Sequence, residues 1–144
     1  MKLIDVVVKG YPPNIETIEE FIPEARKHMD NGAVCCYGNA IYNPSGKAIP
    51  PDLLYHESVH ADRQHKMSTV AYFNKYLTNK AFRLDEEVIA YAAQYAYIKE
   101  NTTIKPDLVL EKMAKALSSS LYGLEITTTE AKKLIRQQAK SWKI

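Results

Sequence analysis

The sequence predicts an α+β fold that is dominated by helix. Two observations lead to this prediction: the β-branched and turn-rich segments lie within the first 43 residues, and the rest of the chain carries helical periodicity with helix-start signals. The composition is that of a globular protein, since 46% of the 144 residues are hydrophobic and 25% are charged. A chain of this length is expected to form one domain, residues 1–144, in which the helices beyond about residue 105 are candidates for an accessory segment.

The first 43 residues contain the predicted strands. Residues 3–8 form a short β-branched segment that is typical of a strand. Apolar residues then recur at helical spacing over residues 15–29, where Pro23 either kinks one helix or opens a second helix at its first turn. Residues 33–43 predict one strand or a tight pair of strands, because Gly38-Asn39 is typical of a bulge or a turn.

Five helices are predicted in the remainder of the chain. Two prolines followed by Asp52 form a helix-start signal for a helix over about residues 52–66. Ser68 is positioned to cap a second helix that runs through Leu77. The other three helices are expected at residues 84–99, from near residue 106 through residue 117, and after a cap within residues 127–129.

Charge and hydropathy argue against several classes of function. The 19 Lys and Arg residues against 17 Asp and Glu residues give a net charge of +2 without a dense basic run, so we expect no nucleic-acid partner. No apolar run approaches the roughly 18 residues of a membrane span, so no membrane partner is expected. Asp5 interrupts the N-terminal apolar stretch, which argues against a signal peptide. Adjacent Cys35 and Cys36 are unsuited to cross-linking distant segments, which favours a reducing, cytoplasmic setting.

The motif with the clearest chemistry is H-E-x-x-H, formed by residues 56–60 within the first of these helices. On a helix, residues i and i+4 lie one turn apart on the same face, so His56 and His60 are spaced to hold a single Zn²⁺ ion. Glu57 follows the first histidine and is placed to take a proton from a zinc-bound water, whose pKa zinc lowers to about 7. The motif therefore predicts a hydrolytic zinc site.

A catalytic zinc ion also needs a third protein ligand and an open fourth position. The longer pattern H-E-x-x-H-x-x-G-x-x-H is excluded, because Arg63 and Lys66 stand where it requires glycine and histidine. His65 lies five residues after His60, so on a continuous helix it points away from the face that carries the histidine pair. The third ligand is therefore expected to come from another part of the chain.

Acidic residues near the start of the helix predicted over residues 84–99 offer such a ligand. Carboxylates that enter an otherwise apolar and aromatic helix are costly to bury unless they are paired or bound to metal, although first-turn acids also favour the helix dipole. Periodicity groups Glu87 with Leu84 and Tyr91, a face that is expected to be buried. Glu86 lies on the adjacent side, so spacing alone does not decide between Glu86 and Glu87.

Together these residues resemble a gluzincin, the class of zincin metallopeptidases that combines H-E-x-x-H with a downstream glutamate. The similarity is greatest to the minimal single-domain forms of archaea and of phage or prophage genomes, and it spans about residues 38–97. Residues 87–91 match the Glu-x-x-Ala-Tyr pattern of such enzymes, which selects Glu87 over Glu86 as the third ligand. The resemblance implies a zincin-like fold with an active-site helix, one zinc ion and hydrolysis of peptide bonds.

The resemblance also implies a site for an extended peptide or protein substrate. Gly38, Asn39, Ala40 and Ile41, in the segment that ends at Tyr42, are similar to the strand that lies above the zinc in such enzymes. We expect a peptide to pair with the edge of this strand by β-augmentation.

Further residues are candidates for supporting roles. A donor to the oxyanion that forms during hydrolysis is expected. The candidates are Tyr72, Tyr76, Tyr91 and Arg83. Asp62 and Gln64 are candidates for orienting a ligand histidine. Cys35 or Cys36 is a candidate for an additional zinc ligand, which would block the open position, and burial as a small hydrophobic residue is the alternative for both.

Two other functions compete with the peptidase. The first is a non-catalytic, zinc-stabilised binding or regulatory protein of a phage or mobile element, which would normally supply four protein ligands. The second is a helical interaction domain in which H-E-x-x-H occurs by chance. Because Glu57 has no purpose in a structural zinc site, its presence favours the enzyme. The sequence indicates neither the oligomeric state nor the identity of the substrate.

Overall fold

The structure, a computed structural model, describes residues 4–142, and over that range it contains seven helices and a three-stranded sheet. The prediction of a predominantly helical α+β fold is confirmed. Of the strand predicted at residues 3–8, the structure has Val6–Val8 as β1, and Leu3 lies outside the described residues.

The sheet is built from β1 and a tight hairpin. Strands β2 (Cys35–Tyr37) and β3 (Ala40–Tyr42) pair antiparallel, and β1 pairs parallel with β3, which gives the order β1-β3-β2. Gly38 opens the two-residue turn with a φ of 64°, a conformation that favours glycine and that turns of this length require. Of the two alternatives for residues 33–43, the structure therefore has the pair of strands.

The N-terminal helical region is split in two. Helix α1 is Ile15–Phe21 and α2 is Ala25–Asp30. The break falls around Pro23, which has no backbone N–H to donate within a helix. Both helices pack through apolar side chains onto the fourth helix, and this cluster consists of Ile18, Ile22, Ala25, Tyr72, Phe73, Tyr76 and Leu77.

Three consecutive helices form the middle of the molecule: α3 (Pro51–Met67), α4 (Thr69–Thr78) and α5 (Lys80–Asn101). The Ser68 hydroxyl accepts from the backbone N–H of Ala71, so the predicted cap of α4 is confirmed. Helix α5 begins four residues earlier than predicted because Asn79 caps it by accepting from the N–H of Phe82.

The last two helices are α6 (Pro106–Leu117) and α7 (Thr128–Ala139), and Thr127 caps α7. They share one apolar cluster with α5, formed by Val88, Tyr91, Leu110, Met113, Ala114, Leu117, Leu124, Ala131 and Ile135. The helices beyond residue 105 are thus packed into the core beside α5. Within residues 4–142, the helices lack the combination of length and apolar character that crossing a bilayer requires.

Candidate metal centre

The H-E-x-x-H residues of α3 face α5 at the centre of the molecule. Nε2 of His60 lies 3.2 Å from Nε2 of His56 and 3.2 Å from Oε1 of Glu87, and Nε2 of His56 lies 3.4 Å from the same carboxylate oxygen. All three residues are buried, and their ligand atoms lie within 4.8 Å of one another. Such a group could bind a metal ion.

The His56 ring is held from behind by a buried amide. Its Nδ1 lies 3.0 Å from Oε1 of Gln94, and Nε2 of Gln94 donates to Oδ2 of Asp52 at 2.7 Å. Because that second bond fixes which end of the Gln94 amide is the acceptor, Nδ1 of His56 must carry the proton. The Nε2 atom of neutral His56 is then unprotonated, which is the state that a metal ligand requires.

The His60 ring is held by a second chain of polar groups. Its Nδ1 lies 3.3 Å from the Tyr72 hydroxyl, whose pKa is raised by burial and also by Glu86, which lies close to it. The single Nε–H of Arg63 in turn donates to both carboxylate oxygens of Glu86, at 2.7 and 2.9 Å. Glu86 is therefore committed to this chain, while its neighbour Glu87 joins the histidine group.

The Glu87 carboxylate is oriented by Tyr76, whose hydroxyl donates to Oε2 at 2.6 Å and leaves Oε1 toward the histidines. Burial raises the pKa of Glu87, but the two imidazoles outweigh burial and hold that pKa well below its usual range. Burial lowers the pKa of His60, yet the nearby carboxylates together outweigh burial and raise that pKa to about 9. Glu87 contributes most to this rise in pKa, followed by Glu57 and Glu86. Without a metal ion, the site therefore holds an ionised carboxylate beside a protonated His60.

Glu57 is buried next to this group without being one of its members. Burial raises the pKa of Glu57 above its ordinary value, and the two histidines and a hydrogen bond from the backbone of Cys36 offset part of that rise. A carboxylate with a raised pKa is a better proton acceptor than an exposed one.

A cavity of about 80 Å³ adjoins the site. Glu57 and the three members of the histidine–glutamate group line one side of it. Apolar residues form much of the remaining lining, and they are Ile18, Ile22, Ala25, Met29, Val34 and Leu121. The N-terminal helices, for which the sequence predicted no role, thus form a wall of the site.

Three of the four candidate oxyanion donors are engaged in other hydrogen bonds. The hydroxyls of Tyr72 and Tyr76 are bonded within the polar groups that support His60 and Glu87. Arg83 donates to the carbonyls of Tyr76 and Leu77 at the end of α4. The fourth candidate, Tyr91, stacks edge-on against the His56 ring with 4.4 Å between centroids, and its hydroxyl lies 2.7 Å from that of Tyr122.

The expectation that a substrate pairs with the edge of residues 38–41 is wrong. Ala40 and Ile41 belong to the central strand β3 and are paired on both sides, while Gly38 and Asn39 form the turn. The edge strands are β1 and β2. Gln64 already bonds to the hairpin: its amide accepts from the N–H of Gly38 in the turn at 2.7 Å and donates to the carbonyl of Cys36 in β2 at 2.8 Å. Gln64 therefore joins α3 to the hairpin and does not contact a ligand histidine in any bond the structure gives.

The remaining sequence candidates lie outside the ligand group. Of the described residues, that group takes in neither Cys35 nor Cys36, and burial raises the pKa of both thiols, so they stay protonated near neutral pH. His65 is exposed on α3, as its spacing predicts. Asp62 lies 3.2 Å from Nζ of Lys66, one helical turn away on the same helix.

Sequence reasoning missed two residues of the site. Gln94 lies seven residues, or two turns, after Glu87, and this spacing was a usable signal because it places both side chains on one face of α5. Tyr122 comes from the connection between α6 and α7, where no periodicity indicates which way a side chain points.

Comparison of the chain with models of protein families, with curated proteins and with solved structures found no match.

Proposed function

We propose that the chain is a zinc-dependent metallopeptidase in which His56, His60 and Glu87 hold the metal ion and Glu57 is the catalytic base. The observation that carries the proposal is the position of Glu57, which is buried in the same cavity wall as the ligand group without belonging to it. Burying a carboxylate costs free energy, and a metal site that serves stability alone has no use for one there.

The donor set supports zinc as the ion. Two imidazole nitrogens and one carboxylate oxygen are a known ligand set of catalytic zinc sites, which keep the fourth position for water or substrate. Each imidazole has its other nitrogen engaged, by Gln94 or by Tyr72, as metal-binding histidines generally do. The group thus offers the preorganised nitrogen and oxygen ligands that this ion prefers.

The residues around the ion have separate tasks in the proposed reaction. Zinc, when bound, makes a water molecule acidic near neutral pH and polarises the carbonyl of the scissile bond. Glu57 accepts the proton of the attacking water and returns it to the leaving amine. Its raised pKa, which burial causes, suits it to both transfers.

The apolar wall of the cavity supports a peptide substrate with an apolar side chain next to the scissile bond. Most pockets for small groups are lined by apolar residues with a few polar groups that fix orientation. Here the polar groups come from α3 and α5 and the apolar wall comes largely from α1 and α2. Backbone pairing contributes less, because Gln64 already bonds to the carbonyl of Cys36 in the edge strand β2.

The test compares zinc-loaded protein with Glu57→Gln on a library of internally quenched peptides that vary in one apolar position. We expect cleavage by the parent protein and a loss of at least about 100-fold in Glu57→Gln, with one zinc ion retained by both proteins. The exposed Glu20 on α1 supplies the control, since Glu20→Gln should cleave at the parent rate.

Two outcomes would overturn the proposal. A zinc-loaded parent protein that cleaves none of the peptides would point to the alternative, a zinc-stabilised binding or regulatory protein. Glu57→Gln cleaving as fast as the parent would remove Glu57 from the role of base.

A further inference from the structure

We propose that Tyr122 is a catalytic residue, whose hydroxyl donates a hydrogen bond to the oxyanion that develops on the scissile carbonyl. This inference rests on the proposed peptidase function. Tyr122 lines the cavity together with His56, Glu57, His60 and Glu87, although it lies 62 residues beyond His60 in the sequence. Tyr122 therefore contributes to the surface of the cavity in which the proposed substrate would bind.

The other polar groups of the cavity wall are committed to the site itself. The Tyr76 hydroxyl donates to Glu87, and the Gln64 amide bonds to the backbone of the hairpin. The two cysteines contribute thiols, which are weak donors. Among the cavity-lining residues that the structure describes, Tyr122 thus supplies the strong donor that is not bonded to a ligand or to the hairpin.

The Tyr91–Tyr122 pair leaves one hydroxyl proton for a substrate. The two hydroxyl oxygens lie 2.7 Å apart, so one phenol donates to the other and the second keeps its proton for another acceptor. Tyr91 is buried against the His56 ring and does not line the cavity, whereas Tyr122 does. In the proposed arrangement Tyr91 donates to Tyr122, which directs the remaining proton into the cavity and strengthens Tyr122 as a donor. Tyr91 is accordingly a positioning residue.

The connection that carries Tyr122 is fixed on both sides. Before it, the Ser120 hydroxyl lies 2.8 Å from Nε2 of His28 on α2, and Leu121 joins the apolar wall. After it, Leu124 is buried in the cluster of α5, α6 and α7. A donor held in place before the reaction begins stabilises a developing charge more than a mobile one does.

The experiment uses the full chain loaded with zinc and three single substitutions: Tyr122→Phe, Tyr91→Phe and Tyr95→Phe. Tyr95 is the matched control, because it lies one turn after Tyr91 on α5 and packs against the same cluster. For each protein, kcat and KM are measured on a cleaved peptide, Kd is measured for a phosphonamidate analogue of that peptide, and zinc affinity is measured by chelator competition.

We expect Tyr122→Phe to lower kcat by about 100-fold or more with KM within about twofold, since a single oxyanion donor is typically worth that much. The tetrahedral phosphonamidate should lose affinity by a similar factor, while zinc affinity stays at the parent value. Tyr91→Phe should lower kcat by a smaller factor, about tenfold or less, because it removes only the hydrogen bond that directs Tyr122. Tyr95→Phe should match the parent in every measurement.

The inference is overturned if Tyr122→Phe keeps the kcat and the analogue affinity of the parent while Glu57→Gln is inactive. It is also overturned if Tyr95→Phe loses as much as Tyr122→Phe, because both losses would then reflect packing. A parent protein that cleaves no peptide overturns the proposed function and this inference together. The two outcomes above differ from this one because in both of them the parent protein is active.

Discussion

Helix α5 has two buried faces, one of which carries polar and charged side chains and the other apolar side chains. The face toward α3 and α4 carries Arg83, Glu86, Glu87 and Gln94, each at most 7% exposed. The face toward α6 and α7 carries Val88 and contributes to an apolar cluster. The polar face depends on a partner for each group, whereas the apolar face needs only complementary shape.

The two faces of α5 have different roles, one in stability and the other in the proposed metal site. Burial of the apolar face supplies stability, because removing apolar surface from water is the dominant favourable contribution to folding. The polar face costs free energy that its hydrogen bonds only partly recover, and such a cost is typical of functional sites. Substitution of a metal ligand on the polar face should therefore lower metal affinity, whereas truncation of an apolar residue on the other face should lower stability.

The largest separable effect is expected from Glu87→Ala. Removing the one carboxylate of the ligand group should lower zinc affinity by well over about 100-fold, more than the loss typical of a group that only orients a ligand. Glu86→Ala is the matched control, since it removes the neighbouring carboxylate and releases Arg63 and Tyr72 instead. It should lower the free energy of unfolding by about 1–3 kcal/mol and zinc affinity far less. Chelator competition measures the zinc affinity of both variants. A larger loss in Glu86→Ala than in Glu87→Ala would identify Glu86 as the third ligand.

The apolar face is tested by Leu117→Ala. Leu117 is fully buried in the cluster of α5, α6 and α7, so its truncation should lower the free energy of unfolding by about 2–5 kcal/mol in urea denaturation. Zinc affinity of the folded protein should be unchanged. The exposed Leu108 on the same helix supplies the control, and Leu108→Ala should change stability by less than about 0.5 kcal/mol. If Leu117→Ala abolished zinc binding in protein that remains folded, the two faces would not be separable.

A smaller effect on metal binding is expected from Gln94→Leu. This substitution removes the acceptor that fixes the proton on Nδ1 of His56, so zinc affinity should fall by about 10- to 100-fold while binding is not abolished. Gln137→Leu, at an exposed position of α7, should leave zinc affinity unchanged in the same titration. Unaltered affinity in Gln94→Leu would show that the hydrogen bond from His56 does not set the state of the ligand.

The smallest expected effect, about tenfold in zinc affinity per pH unit, concerns the proton on His60. His60 has a pKa of about 9 in the metal-free site, so it is protonated at pH 7 and must lose that proton to bind zinc. Zinc affinity should therefore rise about tenfold per pH unit up to about pH 9. Calorimetry at pH 7 in buffers of different ionisation enthalpy should report about one proton released per zinc ion. Release of no proton would mean that His60 is neutral before the ion binds.

The sequence predicted the elements that depend on local rules. Periodicity and caps placed α3, α4, α6 and α7 close to their observed bounds, because proline, serine and threonine act on their own neighbours in the chain. Asn79 follows the same rule, and by capping α5 it starts the helix four residues before the predicted position. The spacing of His56, His60 and Glu57 likewise placed three side chains beside one cavity.

Predictions that required tertiary information were less complete. Strand order is not a local property, and β3 is central because β1, far earlier in the chain, pairs with it. Helical spacing left Glu86 and Glu87 open, and the choice becomes visible only where Arg63 and Tyr72 meet Glu86 across helices. Tyr122 depended on how the connection between α6 and α7 packs onto the site, which no motif encodes.

The central claim is that one zinc ion is held by two imidazoles and one carboxylate. X-ray absorption at the zinc edge, on protein reconstituted with zinc and dialysed, tests it most directly. We expect one ion per chain with only nitrogen and oxygen neighbours at about 2.0–2.2 Å, including two imidazoles, and loss of that signal in His60→Ala. A sulfur neighbour at about 2.3 Å, which would bring in Cys35 or Cys36, or a protein that retains no zinc, would contradict it.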